Sequence, residues 1–423
     1  MLTRRGLLAT GAVFAGTAVA GPAVARRLTN IEYIKQIHQR LICLDTHLDT
    51  PARFPWPGWD IMQRHAAPLS QVDYPRMVEG GLDGGFWAIF TAQGPLTPEG
   101  MMAARDAALL RAAAIREMVA KNGAHFALAF ASDDAAKIAA AGRKIVYQSI
   151  ENAYPLGGDV TLLRSFYALG VRLCGFAHFK VNQFADSATD APTWKGLSPA
   201  GHDLLTVMNE LGIVPDHSHS SDDVFDQLVS LSKTPILLSH SGCRAVHDHP
   251  RNLDDARIKT LADKGGVIQI NSLSAYLVDT PKNEDREKAQ GAIYGKLRTL
   301  SAMTPAQATV ALADASRAMK ALDVQYPAPR ASFEDFMAHM LHALKLVGPQ
   351  HVGVGADWDG GGGVTGMEDC ASNWKITARL LKEGYREDDL QKIWSGNVLR
   401  VLKAAEDARA KPAAAPGPAG GGE

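Results

Sequence analysis

The chain has little of several features that would settle its class at once. It has four cysteines, Cys43, Cys174, Cys243 and Cys370, in 423 residues, and no two of them form a CxxC pair. That spacing excludes a zinc ribbon and cannot by itself show a disulfide. Two of the four lie in apolar runs and read as buried thiols. Neither sign of charge is in excess: 44 Lys and Arg face 45 Asp and Glu, and no block of like charge stands out. Such a balance points away from nucleic acid and from an anionic membrane surface as partners. No apolar run is long enough for a membrane span. There is no hydrophobic C-terminal tail and no cysteine directly after the N-terminal apolar stretch, so no stable membrane anchor is expected. The glycine run Gly360–Gly363 lacks the lysine of a phosphate-cradling loop and reads as a flexible loop.

The N-terminus, by contrast, is rich in signal. Thr3-Arg4-Arg5-Gly6-Leu7-Leu8 is followed by the apolar stretch Leu8–Ala20. Small-residue sites then occur at Ala18-Val19-Ala20 and Ala23-Val24-Ala25. Residues 1–25 therefore read as a bacterial twin-arginine export signal, which places the mature protein in the periplasm or outside the cell. Residues 409–423, dominated by Ala, Pro and Gly, read as a disordered tail. Between these ends a hydrophobic content of 46% supplies a large core. The length exceeds the roughly 250 residues of a barrel of eight strands and eight helices.

Eight short apolar runs read as strands: Leu41–Thr50, Gly84–Thr91, Ile145–Ile150, Val171–Phe176, Ile213–Asp216, Pro235–Ser239, Gly266–Ile270 and His351–Gly355. Helical patterns fall between them. Ser198–Leu211 has Ser198 as its cap, Pro199 at its first position and Gly212 past its end. Ser332–Val347 pairs Ser332 with Asp335 in a capping box and carries the stripe Phe333, Phe336, Met337, Met340, Leu341 and Leu344. Further helices are expected over Asn30–Arg40, Pro98–Asn122, Val160–Leu169, Ser221–Ser232, Leu253–Lys264 and Glu387–Glu406. Pro51–Tyr74 reads as an irregular loop. Leu273–Pro329 reads as a polar insertion, helical in pieces, between the seventh and eighth strands. Strands alternating with helices imply an α/β fold, and the count of eight implies a TIM-type (β/α)8 barrel over residues 28–408.

Polar residues follow most of these strands. His47 and Asp49, two apart on an extended segment, project to one side and can offer an imidazole and a carboxylate to one metal ion. Glu151, His178, His219, His240, Arg251 and Asp357 lie at or beyond later strands. In such barrels the chemistry sits at the C-terminal ends of the strands. Three histidines with two carboxylates suit zinc or a similar divalent ion. They exceed what one tetrahedral ion needs. Two ions sharing Glu151 is the economical arrangement: His47, Asp49 and Glu151 on the first, Glu151, His219 and His240 on the second. Ions about 3.5–4 Å apart would hold a bridging hydroxide and polarise a carbonyl. His339 and His342 read as ordinary helix residues, and His247 and His249 as surface residues.

The ordered set of motifs resembles the membrane dipeptidase (renal dipeptidase) family of zinc metallopeptidases, a branch of the amidohydrolase-type barrels. The matching stretches are Asp45-Thr46-His47-Leu48-Asp49, Gly170-Val171-Arg172 through Ala177-His178, Gly196-Leu197-Ser198-Pro199-Ala200-Gly201, Asp216-His217-Ser218-His219 and Ser239-His240-Ser241. They continue with His249-Pro250-Arg251-Asn252, Gly265-Gly266-Val267, Gly353 through Gly360, and Gly396-Asn397-Val398-Leu399-Arg400. The resemblance implies two Zn2+ per chain bridged by Glu151, with His47 and Asp49 on the first ion and His219 and His240 on the second. It implies that His178 stabilises the tetrahedral oxyanion and that Arg251 pairs with the C-terminal carboxylate of a dipeptide. Asp357 would move the proton from the attacking water to the leaving amine, with Asp359 as the alternative carboxylate and Trp358 packed beside the site. The implied substrates are small dipeptides, L-Xaa-L-Xaa and L-Xaa-D-Xaa, and the implied assembly is a homodimer. The chain departs from the family at two places. Asn152-Ala153-Tyr154 stands where Gly-Gly follows the bridging Glu, which reshapes the pocket. His217-Ser218-His219 stands where the family has Leu-Ala-His, which makes His217 a competitor, although the register keeps His219. Two alternatives remain at this point: a related hydrolase of another amide, such as an N-acyl-D-amino acid or a β-lactam, and a non-catalytic exported binding protein.

Overall fold

Strands that are apolar along their whole length are stable only between neighbours on both edges and helices over the outer face. The chain meets that requirement by pairing its strands in parallel. In the computed structural model residues 30–67, 69–327 and 329–409 are described. The export signal lies outside them, as does nearly all of the Ala/Pro/Gly-rich tail. The strands are β1 (Leu44–Leu48), β2 (Gly84–Ile89), β3 (Phe126–Leu128), β4 (Lys144–Ile150), β5 (Val171–Gly175), β6 (Val214–Asp216), β7 (Leu237–Cys243), β8 (Asn252–Leu253), β9 (Val267–Ile270) and β10 (Val352–Val354). The sheet runs β1-β2-β4-β5-β6-β7-β9-β10, all pairs parallel. It closes where Leu48 bridges Trp358 and the Asp49 N–H donates to the Trp358 carbonyl at 2.9 Å. The result is a nearly closed TIM-type barrel with helices around it.

The two rims of this barrel are built differently. Near the strand starts, one cluster joins Leu44, Phe86, Ile145, Tyr147, Leu173, Val214, Leu237 and Val267. The C-terminal helix Asn397–Ala408 packs Val398, Val401, Leu402 and Ala405 into the same cluster. At the strand ends the buried residues are instead histidines, carboxylates and amides. The helices stop and start where local chemistry dictates. Ser198 accepts from the Gly201 N–H, Pro199 follows it, and Gly212 ends the helix Pro199–Leu211 at φ 73°. Ser332 and Asp335 form the capping box of Phe333–Val347.

Several boundaries differ from the sequence reading. β3 and β8 are additional strands. β3 pairs with the first part of β4, Lys144–Val146, while β5 takes over at Gln148–Ile150. β8 pairs with Gly242 and Cys243, which carries β7 past His240; that histidine lies within the strand and not beyond it. Asn252–Leu253 is therefore extended, and the following helix is Asp255–Asp263, capped by Asp254. The loop read over Pro51–Tyr74 contains a 3-10 turn at Thr50–Arg53, and the helix Tyr74–Gly80 begins at its end, capped by Asp73. The insertion after β9 consists of the helices Ser274–Leu277, Glu284–Leu297 and Pro305–Gln325. Leu297, Leu300, Ala308 and Ala315 form a small core of their own with Leu69. All four cysteines are buried and free.

Candidate metal centre

Glu151, the first residue after β4, is the point on which the site converges. Its Oε1 lies 3.2 Å from His178 Nε2, 3.3 Å from His219 Nε2, 3.7 Å from His47 Nε2 and 3.9 Å from His240 Nε2. His47 Nε2 is also 3.2 Å from Asp49 Oδ2. His219 and His240 face each other through their Nε2 atoms at 2.8 Å. Donors sharing one zinc at about 2.0–2.1 Å in tetrahedral geometry stand roughly 3.3 Å apart, so these spacings are those of atoms arranged around cations. Three overlapping groups have ligand atoms within 4.8 Å of one another: His47, Glu151 and His240; Glu151, His178 and His219; His47, Asp49 and Asp357. His178 and Asp357 thus stand as close to the ligand atoms as the five residues read as ligands.

Local backbone geometry aims these side chains. His219 and Asp357 adopt left-handed conformations, φ 74° and 65°. Such conformations are strained for non-glycine residues and concentrate at functional sites. The turn at His219, closed by the Ser220 N–H on the His217 carbonyl, separates the two histidines of His217-Ser218-His219. His217 packs edge-on against Phe225 of helix Asp222–Leu231, away from the cluster, while His219 joins it. Asp45 accepts from the N–H groups of His47 and Ala356, which binds the end of β1 to the end of β10. Gly360 is required by contact: a Cβ there would lie 2.0 Å from Asp49 Oδ2 and 2.2 Å from Asp357 Oδ1. The Gly360–Gly363 stretch, read as a flexible loop, is a hydrogen-bonded turn. Its Gly360 and Gly362 N–H groups donate to the Asp357 carbonyl and its Gly363 N–H donates to Ser272 Oγ.

The charges explain why a cation fits. Burial alone would lower the pKa of His47, but Asp49, Glu151 and Asp357 together raise it to about 10. The carboxylates thus hold a proton on an imidazole where a metal ion could stand. Burial would raise Glu151, yet the neighbouring His178 and His47 keep it well below the ordinary carboxylate range. Burial, reinforced by the Arg251 charge, holds His219 and His240 well below 6.5, so both are neutral and each has a lone pair to give. Asp49 Oδ1 is buried without a hydrogen-bond partner. An orphaned carboxylate oxygen, two converging imidazole nitrogens and a shared glutamate are satisfied together by divalent cations. Asp357 is raised to about 7 by burial, with Asp49 and Glu151 adding to the effect against His47.

Asp359 is differently employed: its carboxylate accepts from Thr50 Oγ1 at 2.7 Å and from the Gln71 N–H at 2.7 Å. Trp358 is fully buried at the barrel seam. Arg251 is buried; it donates to the His240 carbonyl at 3.0 Å and lies 5.1 Å from the ring of Tyr276. Tyr276 itself lines the pocket over the cluster, a cavity of about 450 Å³. Glu151, His178, His219, Asp49 and Asp357 form its polar floor, and Trp56, Phe90, Phe179 and Leu273 its apolar sides. Tyr294, Leu297 and Arg298 also line it, so the insertion walls the pocket. Sequence reasoning did not single out these insertion residues, Tyr276, or Asn271, whose Nδ2 is 3.3 Å from Asp357 Oδ2. These residues become neighbours of the site through the fold alone.

A parallel barrel with imidazoles and carboxylates gathered at the C-terminal ends of its strands is the frame of a metal-dependent hydrolase. The family model described as membrane dipeptidase (peptidase family M19) matches residues 31–415, and the chain belongs to that family. It is 28% identical over 351 residues to Dipeptidase tcpJ of Claviceps purpurea, covering 80% of this chain and 70% of that protein. The crystal structure of the probable dipeptidase PvdM from Pseudomonas aeruginosa is similar with a TM-score of 0.76 and 28% identity, covering 90% of this chain and 99% of that one. A metallo peptidase from Rhodobacter sphaeroides, liganded with a phosphinate mimic of the dipeptide L-Ala-D-Ala, has a TM-score of 0.66 at 22% identity, a likeness of fold, over 86% of this chain and 99% of that one. The protein is therefore a peptide-bond hydrolase, a dipeptidase of the metallopeptidase type.

Proposed function

We propose that the chain hydrolyses small dipeptides, L-Xaa-L-Xaa and L-Xaa-D-Xaa, with two zinc ions bridged by Glu151. The observation that carries this reading is the convergence of four imidazole nitrogens on Glu151 Oε1, with Asp49 and Asp357 beside them. His47 and Asp49 would hold the first ion, and His219 and His240 the second. When bound, the ions would polarise the scissile carbonyl and activate the attacking water.

The remaining work falls to the side chains. Asp357, with a pKa of about 7, is poised to take a proton from the attacking water and return it to the leaving amine near neutral pH. Asn271 holds one of its oxygens. His178, flanked by the rings of Phe90 and Phe179, is placed at the pocket wall to donate to the oxygen that gains negative charge. Arg251 supplies the positive charge for the free carboxylate of the substrate, where a planar guanidinium suits a planar acceptor. The apolar sides of the pocket exclude water around the reacting bond.

The test is metal content of the purified protein together with cleavage of a panel of L-Xaa-L-Xaa and L-Xaa-D-Xaa dipeptides before and after chelation. About two zinc per chain, with activity lost to a chelator and restored by zinc, is the expected result. Two metals with no dipeptide cleaved would move the assignment to another amide. Absence of metal after reconstitution with zinc would overturn it. Export to the periplasm is proposed from the twin-arginine leader alone and is tested by recovery of the protein in the osmotic-shock fraction.

A further inference from the structure

His240 differs from His219 in what its second ring nitrogen meets. His219 Nδ1 is buried with no hydrogen-bond partner among the described residues. His240 Nδ1 lies 2.8 Å from Ser239 Oγ. Ser239 Oγ in turn lies 2.5 Å from Asp216 Oδ2. The other oxygen of that carboxylate, Oδ1, accepts the N–H groups of Ser218 at 3.0 Å and Ser239 at 2.9 Å. All of these groups are buried, Ser239 completely.

The chain of contacts has a direction. A hydroxyl carries one hydrogen, and a carboxylate can only accept. The Ser239 hydrogen is therefore committed to Asp216. Its oxygen then accepts, so the His240 partner must be Nδ1–H. A neutral imidazole with a hydrogen on Nδ1 has its lone pair on Nε2, the nitrogen that faces His219 and Glu151. We propose that Asp216, acting through Ser239, is a positioning residue that fixes the tautomer of His240 and so turns its Nε2 lone pair toward the metal centre. The inference rests on the metal reading of the cluster. It adds a role for two residues whose other evident task is to tie β6 to β7.

Asp216→Asn separates the two roles. The position of Oδ1, fixed by two backbone N–H donors, must remain an oxygen. The new NH2 then faces Ser239 Oγ and supplies a hydrogen there. The Ser239 hydroxyl is released to donate to His240 Nδ1, and the ring hydrogen moves to Nε2. The strand tie survives while the polarity reverses. Ser239→Ala is the second variant: it keeps both backbone N–H contacts to Asp216 and removes only the relay.

Two measurements on the full-length protein test this. Long-range 1H–15N correlation on 15N-histidine-labelled, metal-free protein reads the tautomer of His240, assigned by its loss in His240→Gln. Competition with a chromophoric chelator reads zinc affinity. The expected result is Nδ1–H in the native protein and Nε2–H in Asp216→Asn, with zinc affinity about 10–100-fold weaker in both Asp216→Asn and Ser239→Ala. A native protein with Nε2–H, or variants with native tautomer and native zinc affinity, would overturn the proposal. Failure of the native protein to bind zinc would overturn the metal reading instead, since the tautomer is read without metal.

Discussion

The two rims of the barrel are made by the same strands and obey opposite rules. At the strand starts, aliphatic and aromatic side chains from strand after strand meet the C-terminal helix. At the strand ends, carboxylates and imidazoles are buried against one another. Apolar burial at the first rim stabilises the fold by roughly 25 cal/mol for each Å² removed from water. Burial at the second rim is costly for every charge that lacks a partner. The comparison separates residues that hold the barrel from residues that use it, and variants at the two rims are expected to fail in different ways.

The largest effect is expected at Glu151. Glu151→Gln removes the charge on which four imidazoles converge, so kcat/KM for a dipeptide should fall by about 10³-fold or more, the scale seen when a principal electrostatic group is lost. The melting temperature should also fall, because His178 and His47 hold this carboxylate ionised in the fold and lose their partner with it. Activity and calorimetry on the same preparation check both halves, and a fall in kcat/KM no larger than the loss of folded protein accounts for would break the contrast. Leu237→Ala at the opposite rim should cost about 2–5 kcal/mol of stability. KM and zinc content should stay native at temperatures where the variant remains folded.

Two histidines sharpen the same contrast. His38, held between Thr377 Oγ1 and the Gly80 carbonyl at 2.8 Å each, is lowered by burial to about 4. His47 is driven the other way by its carboxylates. For His38 the unfolded chain takes up a proton near 6.5 while the folded one resists until about 4. Stability is therefore full above pH 6.5 and is lost as pH falls toward 4, by about 3 kcal/mol. Denaturant unfolding of the native protein and of His38→Gln across that range should give a flatter profile for the variant. The smallest effect is expected at the insertion. Tyr294→Ala should raise KM by about 10-fold for dipeptides with a large side chain and change it little for Ala-Ala, with kcat preserved. Equal changes for both substrates would show that the insertion does not contribute to selectivity.

The barrel was legible because fully buried strands write themselves as apolar runs, and because most of these runs stop at a polar residue. β3 and β8, three and two residues long, have no pattern of their own and exist through pairing with β4 and β7. The convergence of His47, Glu151, His219 and His240 was legible from their places at strand ends. The left-handed turns at His219 and Asp357 were not, since neither residue is the glycine that announces such a turn. Only the motif register favoured His219 over His217 in the sequence; the physical reason, the tight turn over His217–Ser220, is visible in the structure alone. The sequence left the insertion open between a pocket wall and a subunit contact and named none of its residues, because Tyr294, Leu297 and Arg298 reach the cavity only through tertiary packing.

The seam of the barrel has a consequence for assembly. β1 and β10 are joined by a bridge from Leu48 to Trp358, and Asp45 reaches across it to the N–H of Ala356, 311 positions along the chain. Asp49 and Asp357 stand on the two sides of that seam, against the same glycine. Closing so long a loop is favourable only after the intervening strands have formed their own local pairs. The centre is thus among the last features of the molecule to come into being. A chain still emerging from the ribosome and ending short of Asp357 carries all five residues proposed as ligands, yet lacks both the carboxylate proposed to move the proton and the Trp358 end of the seam.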